Sequence, residues 1–161
     1  MATNNVINQI GTLPAFMATH NSDQTNVTGT GNAYHVLFDT ESFDITSSYD
    51  VATAVFTAPL TGKYMFYTGL YIADMAATNN GISVRLKTTS QTYTLMSIDT
   101  WGGSGSQGFL SGNAVVSLTA GDTAYIEFVV GNGTNIIDVL SAASVGGVIT
   151  PLFSGYILSG Q

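Results

Sequence analysis

The sequence predicts an all-β domain built from antiparallel strands. Short runs rich in Val, Ile, Tyr, Phe and Thr recur between clusters of Gly, Asn, Ser and Asp, the pattern of strands punctuated by turns. Helical periodicity is hard to find along the chain. Only 8% of the 161 residues are charged while 45% are hydrophobic, which excludes disorder. The length suits one domain that can bury its own core. Cysteine is absent, so neither disulfides nor thiolate metal sites contribute.

About ten strands are read in order: Ala15–Thr19, Tyr34–Asp39, Val51–Thr57, Lys63–Ala73, Ile82–Thr88, Thr92–Asp99, Gly108–Leu118, Thr123–Val130, Ile136–Leu140 and Leu152–Leu158. Asn80-Gly81 and Asn132-Gly133 supply residues that tolerate positive φ and so suit tight reversals. Gly31-Asn32, Gly112-Asn113 and Gly121-Asp122 mark further turns. Pro59 ends a strand before Leu60-Thr61-Gly62, because proline cannot donate to a ladder.

The strand Lys63–Ala73 carries the most information. One face reads Tyr64, Phe66, Thr68, Leu70, Ile72 and the other includes Met65, Tyr67, Gly69, Tyr71. Alternate residues point to opposite faces, so both faces are largely apolar. Tyr125–Val130 and Val36–Phe38 repeat the pattern. Several such strands imply a sandwich whose outer face is also covered, and a homo-oligomer is the simplest cover. The alternative is a monomer with scattered surface aromatics, since most protein surface is apolar anyway.

Lys plus Arg total 3 against 10 Asp plus Glu, a net charge of −7. Phosphate binding needs cations that release counterions, so neither a nucleic acid nor an anionic membrane is an expected partner. The start, Met1-Ala2-Thr3-Asn4-Asn5, has no basic or apolar region of a secretory signal. No apolar run reaches the ~20 residues of a membrane helix. A small outer-membrane barrel has about this length, but the chain has few charges to line a polar lumen.

Five segments in order resemble the landmarks of the C1q/TNF-like globular domain: Pro14-Ala15-Phe16-Met17-Ala18, Val36-Leu37-Phe38-Asp39, Phe56-Thr57-Ala58-Pro59-Leu60-Thr61-Gly62-Lys63-Tyr64-Met65-Phe66, Leu118-Thr119-Ala120-Gly121-Asp122 and Phe153-Ser154-Gly155-Tyr156-Ile157-Leu158. The resemblance covers nearly everything from Pro14 to Ser159. It implies a ten-strand jelly roll, residues 14–161, that assembles as a homotrimer used for binding and not for catalysis. Tyr64, Phe66, Phe153, Tyr156 and Leu158 then belong to the core or to the trimer contact, without assignment between the two. Residues 1–13 show no collagen repeat and no heptad and are read as an N-terminal arm or anchor.

The stretch Asn26–Tyr34, Phe38-Asp39-Thr40-Glu41 and the Thr/Asn/Gly-rich, cysteine-free composition look more like the bacterial and bacteriophage members. In phages such domains resemble receptor-binding heads of tail or capsid fibres. The resemblance therefore implies a virion-surface protein, made in the bacterial host cytoplasm and extracellular when acting. It would contact other virion proteins through the arm and a host cell-surface receptor or glycan through its loops. A capsid-decorating or fibre-capping protein and a soluble bacterial or animal recognition protein are the alternatives.

His20 and His35 match no paired zinc-ligand spacing and read as surface or interface residues. No G-x-S-x-G elbow exists, and Trp101–Gly108 lacks the Lys-Ser/Thr of a phosphate loop. No enzyme is expected. Asp39, Glu41, Asp44 and Asp50 place four carboxylates within twelve positions, and they read either as a solvated turn or as oxygen donors for calcium, the one cofactor considered. Trp101 beside a Gly/Ser loop reads either as a core or interface indole or as a sugar-stacking platform, with Asp99, Ser104 and Gln107 to bind hydroxyls. The sequons at Asn26 and Asn132 would matter only in a eukaryotic secretory route.

Overall fold

A computed structural model describes residues 13–100, 106–134, 136–147 and 150–160. Among the described residues thirteen strands follow one another: β1 Ala15–Thr19, β2 Gln24–Thr28, β3 Ala33–His35, β4 Thr40–Asp44, β5 Tyr49–Asp50, β6 Val55–Thr57, β7 Gly62–Met75, β8 Asn80–Thr88, β9 Thr92–Thr100, β10 Ser106–Leu118, β11 Thr123–Gly131, β12 Ile137–Leu140 and β13 Leu152–Gly160. They form two sheets in which every pairing is antiparallel. The first has the order β2-β12-β7-β13-β1-β4 with β10 also on β7, and the second the order β5-β6-β11-β8-β9 with β3 also on β11. The all-β sandwich expectation holds; the expected ten strands become thirteen.

The extra strands have a common cause. β2 (QTNVT) and β4 (TESFD) are outermost strands on one flank of β7, opposite β10, and carry little apolar alternation, and β5 is a two-residue edge of the second sheet. An edge strand needs only one partner and can expose most of its side chains. The expected strand Tyr34–Asp39 is strand only as far as His35, with one further backbone bond from Val36 N to Ile126 O; beyond it Phe38 still points inward and Leu37 outward. The expected strand Val51–Thr57 begins only at Val55, because residues 51–54 turn, with Ala54 at φ 54° and Asp50 accepting hydrogen bonds from Ala52 N and Thr53 Oγ1.

Facing sides of the two sheets enclose one core, centred on an aromatic cluster. Phe16 stacks on Tyr49 and Phe56 at centroid distances of 4.8 and 5.0 Å, and meets Phe153 edge-on at 5.0 Å. Phe66 stacks on Phe153 at 5.8 Å and meets Phe56 edge-on at 5.4 Å. Such pairs each contribute about 0.5–1.5 kcal/mol beyond area burial. The polar tips are satisfied: Tyr49 Oη donates to Phe38 O and Tyr64 Oη to Leu60 O. Gly155 explains one motif residue. A Cβ there would lie 2.5 Å from Phe66 Cδ1 and 2.9 Å from Phe16 Cε1, so the rings occupy the space a side chain would take.

The long strand β7 fixes the polarity of the sandwich. At its start Gly62 pairs with Leu118 and Gly160, and at its end Met75 pairs with Ser106. The turns after β6 and β10 meet at the first end, where Ala58 N donates to Asp122 O and Ala120 N to Thr61 Oγ1. Pro14 is there too, accepting from Ile157 N. At the opposite end Gly133 N donates to Gly29 O, Asn79 Nδ2 to Gly131 O, and Asn80 pairs with Thr100. The described residues therefore begin and end at a base, and the turns after β2, β7 and β11 gather with the end of β9 and the start of β10 at an apex.

Candidate functional site

The two sheets differ sharply on their outward sides. On the first, register aligns Ala15, Tyr156, Met65 and Val115 in one row across β1, β13, β7 and β10. The next row holds Phe43, Met17, Ser154, Tyr67 and Asn113. Toward the apex Phe109 pairs with Tyr71, and its ring lies over Gly69, where any Cβ would collide with it. Phe43, Phe109, Val115, Tyr156 and Leu158 are 46%, 40%, 55%, 50% and 51% exposed. Several neighbouring strands thus share one apolar surface, the type of contiguous patch that marks an interaction site.

On the second sheet the outward side is polar. His35, Glu127, Arg85 and Thr94 form one cross-strand row, and Tyr125, Lys87 and Thr92 form another. Lys87 Nζ donates to Thr92 Oγ1 at 3.0 Å. The His35 and Tyr125 rings lie 4.2 Å apart. Burial lowers the His35 pKa against the opposing pull of Ala54 O and Glu127. This side is suited to water, whereas the first sheet presents a surface suited to another protein.

Structure assigns what the sequence left open. Tyr64, Phe66 and Phe153 are fully buried inside the sandwich, while Tyr156 and Leu158 lie on the outward side of the first sheet. Val115, Phe43, Met17 and Phe109 join that surface without having been singled out. Val115 and Phe109 could have been found by pairing Gly108–Leu118 beside the two-sided strand, but strand neighbours are not written in the sequence.

Among the loop residues, Asp99 is exposed at the apical end of β9, and Gln107 is exposed at the start of β10. Gln107 Oε1 accepts from Tyr71 Oη at 3.4 Å. Trp101 and Ser104 lie outside the described residues, as does the arm expected over residues 1–13 apart from Leu13.

The acidic stretch acts as separate caps. Asp39 Oδ1 accepts from Asn21 N and Thr40 Oγ1, while Asp44 accepts from Thr46 N and Tyr49 N. The hydrogen bonds from Thr53 and Ala52 hold Asp50 below the usual carboxylate range. Glu41 is exposed on the edge strand β4. Among the described residues no group of three or more His, Cys, Asp or Glu comes together to hold a metal, so the calcium expectation finds no convergent donor set there.

His20 is a correction. Expected at a surface or interface, it is instead 2% exposed, wedged where β1 ends. Burial lowers its pKa despite Ser22 O, Asp39 and Asp23.

Two antiparallel sheets packed in this way form a jelly-roll sandwich, and comparison agrees. The globular domain of zebrafish complement 1qA superposes with a TM-score of 0.65 at 20% identity, covering 92% of this chain and 99% of that one. Murine APRIL, in a crystal structure at pH 5.0, gives 0.60 at 12% identity over 91% and 99%. Eiger TNF from S. frugiperda gives 0.55 at 12% identity over 92% of each. At these identities the structures show a shared fold. No curated protein matches the chain by sequence. A family model for the C1q domain matches residues 15–158, and the chain belongs to the C1q domain family. Domains of this C1q/TNF-like class are typically trimeric, non-enzymatic recognition modules.

Proposed function

We propose that this chain is a homotrimeric, non-enzymatic binding module that serves as the receptor-binding head of a phage tail or capsid fibre and recognises a glycan on the host cell surface. The observation that carries the trimer is the apolar outward side of the first sheet beside the polar outward side of the second. Around a threefold axis each subunit contributes two different surfaces, so apolar area closes into a ring without leaving an open edge. At about 25 cal/mol per Å², a few hundred Å² hidden per subunit contributes several kcal/mol before association costs.

Fold polarity supports presentation. Pro14 lies at the base, and Asp99 near the end of β9 and Gln107 at the start of β10 lie at the apex. A base joined to other virion proteins would point three identical loop sets at one surface. Binding at the second and third loop sets is then intramolecular, and avidity exceeds single-site affinity by about 10²–10⁴. The phage assignment rests on the Thr/Asn/Gly-rich, cysteine-free composition.

The test is binding of the fluorescently labelled full chain to a panel of intact bacteria, with soluble chain competing against phage adsorption. Binding to one host class, weakened by Asp99→Ala or Trp101→Ala, supports the reading. Assembly onto particles with no cell binding, and no effect of either substitution, would place the chain in capsid decoration or fibre capping instead.

A further inference from the structure

His20 sits at a joint. On this side of the first sheet, β1 and β13 occupy the basal half beside β7, and β2 and β12 the apical half: Leu152 pairs with Gly69 and Thr19, whereas Asp138 pairs with Ala73 and Ile137 with Thr28. Two segments meet where the halves join, the bend 20–23 and residues 141–147 after β12. They are clasped together by Asp23, whose Oδ1 accepts from Ser141 N at 2.7 Å and Oδ2 from Ser144 Oγ at 2.6 Å. The imidazole beside that clasp is buried, edge-on to Phe38 at 5.8 Å, with Nδ1 on Ser22 O at 3.1 Å. A carbonyl only accepts, so Nδ1 carries the proton in the neutral ring, and the buried Nε2 has no partner.

We propose that His20 is an acid-sensitive latch: a proton on Nε2 releases the bend 20–23 from the loop after β12 and loosens the β2–β12 ribbon that carries the apical turns 29–32 and 131–134. The charged groups facing the ring are Asp23 and Asp39. Both are already engaged, Asp39 with Asn21 N and Thr40 Oγ1, and Asp23 with the clasp itself. An imidazolium left in place is a buried charge with an unpartnered donor, which is costly. One that recruits Asp23 takes that carboxylate from Ser141 and Ser144, and one that recruits Asp39 takes it from the bend. Each route undoes the joint. The latch needs only the fold and stands whether or not the chain is a phage head.

The sign follows from linkage. Burial holds the folded-state pKa of His20 below its ordinary 6.5, so the closed joint is fully favoured above that value. It weakens as pH falls through 6.5 toward the folded-state pKa, the opening constant rising by up to about tenfold per pH unit in that window.

Amide exchange of the full chain by NMR, corrected for intrinsic rate, tests this between pH 7.5 and 5.5. Protection at Asn26, Ile137 and Ser141 is expected to fall by up to about tenfold between pH 7.5 and 5.5, most of it below pH 6.5, while Tyr64–Leu70 stays unchanged. His20→Asn keeps a donor for Ser22 O and does not titrate, so its protection is expected to be flat; His35→Asn retains the loss. Equal loss in His20→Asn, or none in the unaltered chain, overturns the latch. Should His20→Asn not fold, the ring titration of His20 in the unaltered chain decides. A midpoint below 6.5 that tracks the Ser141 amide supports the proposal, and one at or above 6.5 refutes it.

Discussion

Replacing Gly155 by alanine separates two opposite expectations. Considered through the unfolded chain alone, Gly→Ala in ordinary backbone stabilises by about 0.4–1 kcal/mol, because alanine has less freedom to lose. The folded core opposes this. The new methyl would sit 2.5 and 2.6 Å from Phe66 Cδ1 and Cε1 and 2.9 Å from Phe16 Cε1, against an optimal carbon–carbon separation of about 3.5–4.0 Å. Both rings must retreat by about 1 Å. Neither has room, since Phe66 is pressed between Tyr64, Phe153 and Phe56, and Phe16 between Tyr49, Phe56 and Phe153. Overpacking of this kind costs about 1–3 kcal/mol, so the net expectation is a loss of about 1–2 kcal/mol. For a chain of this length that lowers Tm by roughly 2–8 °C. Calorimetry at fixed chain concentration measures it. Gly160→Ala is the control, since its Cβ meets nothing closer than Thr61 O at 4.0 Å. Gly155→Ala with Phe66→Leu should recover part of the loss, because contacting sites couple. A Gly155→Ala chain as stable as the original, or more so, would refute the reading of this motif glycine.

Other substitutions probe the rest of the account. Phe153→Ala removes a ring at the centre of the cluster and should cost about 3–5 kcal/mol in denaturant unfolding. Thr28→Val leaves Val130 N and Asn32 O without the buried hydroxyl that serves both, a loss of about 1–3 kcal/mol. Val115→Asp places a charge in the middle of the apolar side and should shift sedimentation toward a single-copy species while far-UV circular dichroism stays β. For Asp23, burial acts to raise the pKa but the Ser141 and Ser144 hydrogen bonds outweigh it and hold it below 3.8. Its contribution is therefore present above pH 3.8 and lost as pH falls through the lowered value; Asp23→Asn should remove that part of the acid transition. A chelator should leave the melting midpoint unchanged, since the carboxylates of Asp39, Asp44 and Asp50 serve their own turns; a calcium-dependent rise would contradict that.

Much of the sandwich was legible because central strands write period-two alternation into the sequence. Ala15–Thr19 matches β1 residue for residue, and Thr92–Asp99 misses β9 by one. Edge strands do not write it: β2 and β4 are held by one ladder each and a few side-chain bonds, such as Gln24 with Leu37, and their polar side chains look like loop. The two-sided character of Lys63–Ala73 foretold the exposed apolar side, but which aromatic faces which way needed register. Phe153 and Tyr156 stand three apart in one strand, so parity sends one into the core and the other outward. His20 was misread because a lone histidine carries no periodicity, and its burial depends on Phe38 and on a bend closed by residues more than a hundred positions away.

Sedimentation equilibrium of the full chain at micromolar concentration tests the central claim most directly. Three copies of the 16.8 kDa chain associating through Tyr156, Val115, Met65 and Phe43 should give a single species of roughly 50 kDa, with those side chains protected from solvent-accessible labelling. A well-folded species at 16.8 kDa, with the same residues open to label, would contradict it.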